Sequence, residues 1–394
     1  MRILISAGEA SGEMYGAQLM DALRRTTARA GRGVSPATAD SKARLEFFGV
    51  GADRMRAAGC EIIVDAQDLS VVGITEIFRH LPRIYSRFHK LIREADKRKP
   101  DLAIVIDSPA FNWRVARAMH RRGIPVVYYV APQFWAWRQG RVRLLRKYIN
   151  KALVIFPFEE KFYRDRGVDA TFIGHPLAHL AKPTITRAEY ATQNRLNPEK
   201  PWITLMPGSR IQEVHMNLPT IWESAARLGN GYEFLLPVAP TLDRSVLLRL
   251  IRPAPPVIHC VRESLSALAY SRAAIVASAT ATVEAAMMGT PFAMVYRVST
   301  LTYALGRPRV KVPHFAMVNL VAEKKVVPEF IQQEFTAQRV VASLNQLIQD
   351  GPERDQMVRA FEEVRIRLKG PCQGNVTPPQ LGAAAIWNAM PNRA

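Results

Sequence analysis

The stretch RILISAGEASGEMYGAQL, residues 2–19, decides the fold of the first half of this chain. A short apolar run, RILISA, leads directly into a glycine-rich turn and then into a segment with helical spacing. Strand, turn and helix in this order begin a βα unit of a parallel sheet. Gly8, Gly12 and Gly16 are four residues apart and do not match the G-x-G-x-x-G spacing of a dinucleotide-binding loop. Two carboxylates inside the stretch would also repel a pyrophosphate, so the turn has another role.

Apolar runs of strand length alternate with charged segments of helical spacing along the whole chain. Continuous apolar runs indicate parallel strands that are covered on both faces. Two such sets follow one another, so we predict an α/β protein with two doubly wound, Rossmann-like parallel-sheet domains. The runs are RILISA, LEFFGV, EIIVDA, LAIVID, PVVYYVA, KALVIF and ATFIG, then WITLMPG, YEFLLPV, PVIHCV, AAIVAS and PFAMVYRV.

The segment 174–202 is rich in proline and polar residues and lacks a strand pattern, as is typical of a link between domains. We therefore place one domain at residues 1–175 and a second at 176–368. Residues 369–394 combine a Pro/Gly-rich link with an Ala-rich helix, which we expect to cross back to the first domain. The polar stretch 26–44 is predicted to be a surface loop.

Composition excludes several classes of protein. The chain has 394 residues, 48% hydrophobic and 22% charged, which is typical of a globular protein rather than a disordered one. No apolar run reaches the roughly 18–20 residues that span a bilayer. The N-terminus lacks a signal-peptide pattern, so we expect a cytoplasmic protein. The three cysteines, Cys60, Cys260 and Cys372, are far apart and indicate neither a zinc site nor a disulfide framework.

The charge is strongly positive, with 54 Lys and Arg against 34 Asp and Glu and a net charge of +20. Such a charge predicts an anionic partner: nucleic acid, an anionic membrane surface or a phosphorylated substrate. Residues 68–99 place an apolar segment before a basic stripe, formed by Arg79, Arg83, Arg87 and Lys90. The stripe fits either a solvated helix face or an interfacial membrane contact. The apolar segment beside the basic stripe favours lipid over nucleic acid, and no nucleic-acid fold signature is present.

Two turns in the second half have the features of a phosphate site. MPGSRIQEVHMNLP, residues 206–219, places Ser209 and Arg210 at the end of a predicted strand, where open α/β sheets bind ligands and arginine can bind phosphate in bidentate fashion. An ordinary βα turn with an exposed arginine is the alternative interpretation.

The second turn lies in IVASATATVEAAMMGTPFAMVY, residues 275–296. Its small and hydroxyl-bearing residues precede a helix whose N-terminus can bind an anion; they are Ser278, Thr280, Ala281 and Thr282. Glu284 lies about one turn into that helix, where a carboxylate can accept hydrogen bonds from ribose hydroxyls; a solvated first-turn glutamate is the alternative. Together the turns predict a nucleotide-diphosphate site, and the lack of Asp-x-Asp favours one without metal.

The first half offers a candidate base. In LAIVIDSPAFNW, residues 102–113, Asp107 ends a buried-type strand, where a carboxylate can act as a general base or simply cap the next helix. In YYVAPQFWAWRQGRVRLLRKY, residues 128–148, Gln133, Trp135 and Trp137 follow another strand. These aromatic residues belong either to the core or to an apolar platform, and basic residues on a predicted helix follow them.

Several motifs together resemble the lipid-A-disaccharide synthases, in the same order along most of the chain: SAGEASGEMYGA, IDSPAFN, APQFWAWRQGR, FPFE, IGHPL, PGSRIQEV, ASATATVE and VNLVAE. The resemblance implies the GT-B fold, with two Rossmann-like domains and a cleft between them. It implies inverting transfer from UDP-2,3-diacylglucosamine to the 6-hydroxyl of 2,3-diacylglucosamine 1-phosphate (lipid X). The products are a β(1→6) disaccharide 1-phosphate and UDP, formed without metal or cofactor, by a cytoplasmic enzyme associated peripherally with the inner membrane. The resemblance leaves open whether the protein forms a homodimer.

The resemblance also implies roles for individual residues. The essential aspartate of the family matches Asp107, its first-loop acidic residue matches Glu9, and its phosphate-contacting arginine matches Arg210. The asparagine of its NL motif matches Asn319, and Glu284 matches the carboxylate after the small-residue turn. The turn around Glu9 is then the acceptor-side wall of the site, with Glu9 directed toward the reacting hydroxyl.

The chain departs from the family pattern at several positions, which are Glu13, Ala110, Ala279, Lys324 and Lys325. Ala110 replaces a second acidic residue, and Ala279 replaces the glycine of an SGT motif. Two enzyme alternatives remain, another GT-B enzyme that uses UDP-N-acetylglucosamine and a lipid-linked acceptor, or a UDP-sugar epimerase. A non-catalytic basic protein that binds nucleic acid or membrane is a third alternative, but it would need neither Asp107 nor Glu9.

Overall fold

The computed structural model describes residues 1–8, 10–30, 45–69, 74–239, 242–250, 256–372 and 374–390. The chain divides into two compact units. Unit 1 comprises Met1–Pro176 and Lys369–Ala394, and unit 2 comprises Leu177–Leu368. The chain therefore leaves unit 1 once and later returns to it. In the described residues, no helix is both long enough and apolar enough to cross a membrane.

Unit 1 is built on a sheet in which every pair of neighbouring strands is parallel, in the order β3-β2-β1-β4-β5-β6-β7. The central strands are largely apolar and almost fully buried because helices cover both faces. The described strands of this sheet are β1 Arg2–Ala7, β2 Glu46–Gly51, β3 Cys60–Asp65, β4 Leu102–Ile106, β5 Val126–Tyr129, β6 Lys151–Val154 and β7 Ala170–Phe172.

Helices connect these strands and pack on the sheet. The described helices before unit 2 are α1 Ala10–Ala30, α2 Asp53–Ala57, α3 Ile74–Arg98, α4 Pro109–His120, α5 Phe134–Trp137, α6 Val142–Tyr148 and α7 Pro157–Arg164. Helix α1 includes residues 26–30, which we expected to be loop, and the rest of that predicted loop lies outside the described residues. Helix α3 continues through Pro82.

Unit 2 repeats the architecture with a parallel sheet in the order β10-β9-β8-β11-β12-β13. Its described strands are β8 Trp202–Met206, β9 Glu233–Pro237, β10 Ile258–Val261, β11 Ala273–Ala277, β12 Phe292–Tyr296 and β13 Glu329–Ile331. Strand β13 was not anticipated, since its three residues are only half-buried and lack an apolar run.

The described helices from α8 onward are α8 Arg187–Asn194, α9 Ile211–Leu228, α10 Arg244–Leu250, α11 Ser264–Tyr270, α12 Thr280–Met288, α13 Thr300–Gly306, α14 Met317–Ala322, α15 Ala337–Ile348, α16 Pro352–Lys369 and α17 Pro378–Ala389. Helix α8 lies inside the segment predicted as a link, because Tyr190 is buried against Trp202 of unit 2. Helix α17 packs on α1 in unit 1, and a Cβ at Gly382 would lie 2.9 Å from the Tyr129 ring.

Each sheet has one point at which the strand order reverses direction. In unit 1 it lies between β1 and β4, and in unit 2 between β8 and β11. Ligands of open α/β sheets bind outside the carboxyl ends of the strands at such a point. The turns that follow these four strands are therefore where site residues are expected, and each of the four carries residues singled out in the sequence.

Candidate active site

Asp107 directly follows β4, at the reversal point of the unit 1 sheet. Its backbone has φ 47°, and that of Ser108 has φ 46°. Two successive non-glycine residues in the left-handed region are strained, and such strain concentrates at functional sites. The N-cap of α4 is Ser108, so Asp107 is not the capping residue.

The strained turn is held by Asn112, which is completely buried. Its side-chain Nδ2 donates to the carbonyl oxygens of Ser6, Ile106 and Asp107 at 3.1, 2.8 and 2.9 Å. Its Oδ1 accepts from the Ser6 hydroxyl at 2.7 Å, and the Tyr128 hydroxyl donates to the Asp107 carbonyl at 2.8 Å. Hydrogen bonds that involve β1, β4 and β5 therefore fix the backbone that carries the Asp107 carboxylate. These contacts were not predicted from the sequence.

The glycine turn after β1 approaches the Asp107 turn closely. A Cβ at Gly8 would lie 2.6 Å from the Ser108 hydroxyl oxygen, so only glycine permits this contact. Glu9, the other predicted catalytic residue, lies outside the described residues. Glu13, which replaces an aspartate of the family pattern, accepts a hydrogen bond from the Arg54 backbone nitrogen at 2.7 Å.

The aromatic segment after β5 divides into buried and exposed members. Trp135 is buried, and its indole donates to Glu159 at 2.7 Å, so it belongs to the core. Trp137 is 45% exposed and stacks with the Arg138 guanidinium at 3.8 Å, and Gln133 is exposed. Of the three predicted residues Gln133, Trp135 and Trp137, Gln133 and Trp137 are the two whose side chains can face a ligand directly.

The turn after β8 in unit 2 has a carboxylate folded over it. Glu213 accepts from the backbone nitrogens of Ser209 and Arg210 at 3.1 and 3.4 Å and from the Arg210 guanidinium at 3.1 Å. Gly208 has φ 129°, and a Cβ there would lie 2.5 Å from a Glu213 carboxylate oxygen. Ser209 and Arg210 are exposed. An incoming phosphate would therefore compete with the Glu213 carboxylate for these donors.

The turn after β11 lies beside it, because β8 and β11 are paired. Ala279 has φ 120° and ψ −151°, a conformation that essentially only glycine adopts without strain. Thr280 is exposed and Ala281 half-exposed, and as the first helical residues they have backbone N–H groups without intrahelical acceptors. These groups can bind an anion.

The hydroxyl groups of Ser278 and Thr282 in this turn donate hydrogen bonds to backbone carbonyls of the protein. Ser278 donates to the Phe315 carbonyl at 2.8 Å. Thr282 is fully buried and donates to the Ala279 carbonyl at 2.8 Å, so it shapes the turn and does not face a ligand.

Glu284 lies half-buried on α12, and the Ser264 hydroxyl is 3.4 Å from its carboxylate. Burial raises the pKa of Glu284 above its ordinary value. In the part of the chain that the structure describes, no cation pairs with it. A desolvated carboxylate with one long hydrogen bond retains acceptor capacity for two hydroxyl groups.

Asn319 is fully buried and has all its hydrogen bonds within the protein. Its Oδ1 accepts from the Val326 and Val327 nitrogens at 2.8 and 2.9 Å. Its Nδ2 donates to the Val327 carbonyl at 3.0 Å and to Glu329 at 2.8 Å. Its role is to hold the loop before β13. Lys324, at a family arginine position, pairs with Glu363 at 2.7 Å.

The basic stripe of α3 is partly neutralised. Arg83 and Arg87 both pair with Asp68, the latter at 3.0 Å, and the side chain of Arg79 lies outside the described ones. On α3 itself Lys90 has no ion-pair partner among the described residues. A further group of cations without such a partner in the described structure lies on the packed helices α4 and α6 and just after α4; it comprises Arg114, Arg117, Arg121, Arg143, Arg146 and Lys147.

No group of three His, Cys, Asp or Glu side chains within the described ranges is arranged to hold a metal ion. The candidate site thus rests on carboxylates, basic side chains and helix N-termini. The roles of Asn112, Glu159 and Glu213 were not predicted from the sequence because they depend on tertiary or turn contacts. Each nevertheless lies inside a motif quoted for the family resemblance.

Solved structures with similar folds include glycosyltransferases and UDP-N-acetylglucosamine 2-epimerases, all at low sequence identity. The calicheamicin glycosyltransferase covers 100% of this chain and 99% of its own, with TM-score 0.57 and 17% identity. A UDP-GlcNAc 2-epimerase from Neisseria meningitidis, solved with UDP-GlcNAc, covers 98% of each chain, with TM-score 0.58 and 13% identity. With its two parallel-sheet α/β domains, the chain has the GT-B fold.

Sequence relatives give the family. A family model described as lipid-A-disaccharide synthetase matches residues 3–370. A lipid-A-disaccharide synthase of Koribacter versatilis is 53% identical over 371 residues, 94% of each chain. Another, of Acidobacterium capsulatum, is 48% identical over 383 residues, 94% of this chain and 92% of its own. The chain belongs to the lipid-A-disaccharide synthase family, and it is a glycosyltransferase of lipid A biosynthesis.

Proposed function

We propose that the chain joins UDP-2,3-diacylglucosamine to lipid X with inversion, and that Asp107 removes the proton of the attacking 6-hydroxyl. The observation that carries this proposal is the Asp107 turn. It lies at the reversal point of the sheet and is held in a strained conformation by Asn112. Inversion needs one base that deprotonates the acceptor hydroxyl while the diphosphate leaves. A positioned general base raises the reaction rate about 10²–10⁴-fold.

Unit 2 is proposed to bind the UDP moiety. The N–H groups of Thr280 and Ala281 and the Arg210 guanidinium would bind the diphosphate, since helix N-termini and arginine both suit phosphate. Glu284 would accept hydrogen bonds from the ribose hydroxyls. Unit 1, including Glu9, would bind the acceptor.

The decisive experiment measures UDP release from the two acylated substrates in detergent, with a chelator present. Asp107→Asn is expected to lower kcat at least 100-fold, within the range for a general base, and to leave UDP binding unchanged. Asp101→Asn is the matched control, because Asp101 precedes the other end of β4, where it accepts from the Arg2 nitrogen at 2.8 Å. Equal losses in the two variants, or no disaccharide from the wild type, would contradict the proposal.

We further propose that the enzyme works at an anionic inner-membrane surface and that α4 and α6 face this surface. The cations of these helices have no ion-pair partner in the described structure, whereas Arg83 and Arg87 of α3 share Asp68. Unpaired cations near an anionic leaflet contribute about 1 kcal/mol each. The acylated substrates favour lipid over nucleic acid as the anionic partner.

Vesicles with and without phosphatidylglycerol test this surface. Replacing Arg143, Arg146 and Lys147 by glutamine should weaken binding to the anionic vesicles on the order of 100-fold, from about 1 kcal/mol per charge. Replacing Arg83 and Arg87 by glutamine is the control and should have a much smaller effect. If the α3 variant lost more vesicle binding than the α6 variant, α3 would be the helix that contacts the membrane.

A further inference from the structure

Glu159 is a buried carboxylate that the proposed chemistry does not use. It lies on α7, is 1% exposed, and forms no ion pair among the described residues. Three N–H groups satisfy it: the Trp135 indole at 2.7 Å and the backbone nitrogens of Ile155 and Phe156 at 3.1 and 3.0 Å. Burying a carboxylate without a cation is costly, so this arrangement needs an explanation beyond helix capping.

The group that Glu159 holds is a very short helix. Helix α5 has four residues, too few to be stable alone, because nucleating a helical turn is unfavourable. Its position therefore depends on tertiary contacts. Besides the Glu159 bond, Gln139 donates to the Trp135 carbonyl at 3.0 Å, and the Tyr163 hydroxyl donates to the Pro132 carbonyl.

Two exposed side chains depend on the position of helix α5. Gln133 immediately precedes it and Trp137 ends it, and both are exposed. The segment follows β5, which is paired with β4, the strand that leads to Asp107. The Asp107 nitrogen also donates to the carbonyl of Tyr129, the last residue of β5.

We propose that Glu159 is a positioning residue for the acceptor: through the Trp135 indole it fixes α5, so that Gln133 and Trp137 are presented beside the strand that carries Asp107. This inference rests on the proposed role of unit 1 in binding the acceptor. The ionised carboxylate is the working form, because only it accepts all three bonds without a proton that would need an acceptor of its own.

The charge state of Glu159 provides a spectroscopic test. Burial raises its pKa to about 7. Two other buried titratable groups lie nearby: Tyr163 on the same helix, and His175, whose ring lies 5.0 Å from that of Phe156. The remaining charged side chains of α7 lie toward solvent, since Glu160 is half-buried and Lys161 and Arg164 are exposed. Burial raises the pKa of Tyr163 and lowers that of His175 to about 3, so both stay uncharged between about pH 5 and 9. Glu159 is then the group that titrates near the Trp135 indole.

The experiment is a double-mutant cycle on the full chain. Glu159→Gln removes the charge and sets an amide N–H against one of the three donors, and Trp135→Phe removes the indole donor. Each is expected to raise the KM for lipid X about tenfold while the KM for the nucleotide donor stays within twofold. The double variant should be no worse than either single one, because both remove the same contact. Glu160→Gln is the control, since Glu160 is the neighbouring carboxylate on α7 and pairs with Arg164 at 2.7 Å.

An NMR readout separates this inference from the proposed reaction. The Trp135 indole N–H resonance should titrate with a midpoint near pH 7 in the wild type and in Glu160→Gln, and should lose this titration in Glu159→Gln. Additive kinetic losses, equal effects on both substrates, or an indole signal insensitive to Glu159→Gln would overturn the inference. A wild type that shows the titration but transfers no sugar would overturn the proposed reaction and the acceptor role, while confirming the Glu159–Trp135 contact.

Discussion

Ala279 occupies a backbone conformation suited to glycine, and replacing it should stabilise the protein. With φ 120° and ψ −151°, this residue lies in a region that costs an L-amino acid about 1–3 kcal/mol. Its side chain is exposed, so Ala279→Gly removes little packing. Glycine is also the residue that the family pattern has here.

The net effect is the relieved strain less the extra entropy of glycine in the unfolded chain. That entropy costs about 0.4–1 kcal/mol, so we expect a gain of about 1 kcal/mol. For a domain the size of unit 2 this raises the Tm by about 2–4 °C. Removing the methyl group also exposes the N–H groups of Thr280 and Ala281 further, so UDP should bind no more weakly.

Differential scanning calorimetry measures the change, with Ala281→Gly as the matched control. The same substitution two residues later lies in the first turn of α12, where glycine costs up to about 1 kcal/mol, so the Tm should fall. A Tm that falls in both variants would show that the turn is not strained and would refute the reasoning.

Three further predictions concern buried or turn side chains. Burial raises the pKa of Glu159 from 4.5 to about 7, so stability that is present below the unfolded pKa is lost as the pH rises. Between pH 4.5 and 7 the wild type should therefore lose about 3 kcal/mol of unfolding free energy relative to Glu159→Gln. Urea unfolding measures this loss, and identical pH profiles of the two proteins would contradict it. Glu213→Gln should tighten UDP binding several-fold by calorimetry, since the Arg210 guanidinium loses an anionic competitor; weaker binding would show that Glu213 supports the nucleotide. Asn112→Ala should lower the free energy of unfolding by roughly 3 kcal/mol, because it leaves buried carbonyl groups unpaired. It should also lower kcat by releasing the Asp107 turn. An unchanged kcat in the folded variant would show that Asn112 does not position Asp107.

The parallel sheets could be predicted from sequence because their strands are buried on both faces. The run LAIVID coincides with β4 and ends at Asp107, so the position of the candidate base followed from the strand itself. Strand β13 has three half-buried residues and no such signal. Its place at the sheet edge depends on pairing with β12, a contact between residues distant in sequence.

The supporting contacts of the site could not be predicted in the same way. Ser6 and Asn112 are 106 residues apart, and Trp135 and Glu159 are 24 apart, so nothing in the local pattern links them. The α3 stripe shows the same limit. The spacing of its basic residues could be read from the sequence. Asp68, however, lies before the helix, binds Arg83 and Arg87, and changes the charge of that face.

The return of the chain to unit 1 has a consequence for biosynthesis. Unit 2 is continuous in sequence, so all its residues leave the ribosome before α17 is made. Unit 1 must wait for α17, which packs on α1 and against Tyr129, next to the Asp107 turn. Unit 2, which we propose binds the nucleotide, can thus fold during translation, while unit 1, which carries the candidate base, is completed only by α17. Premature termination after α16 would leave a complete unit 2 beside an unfinished unit 1.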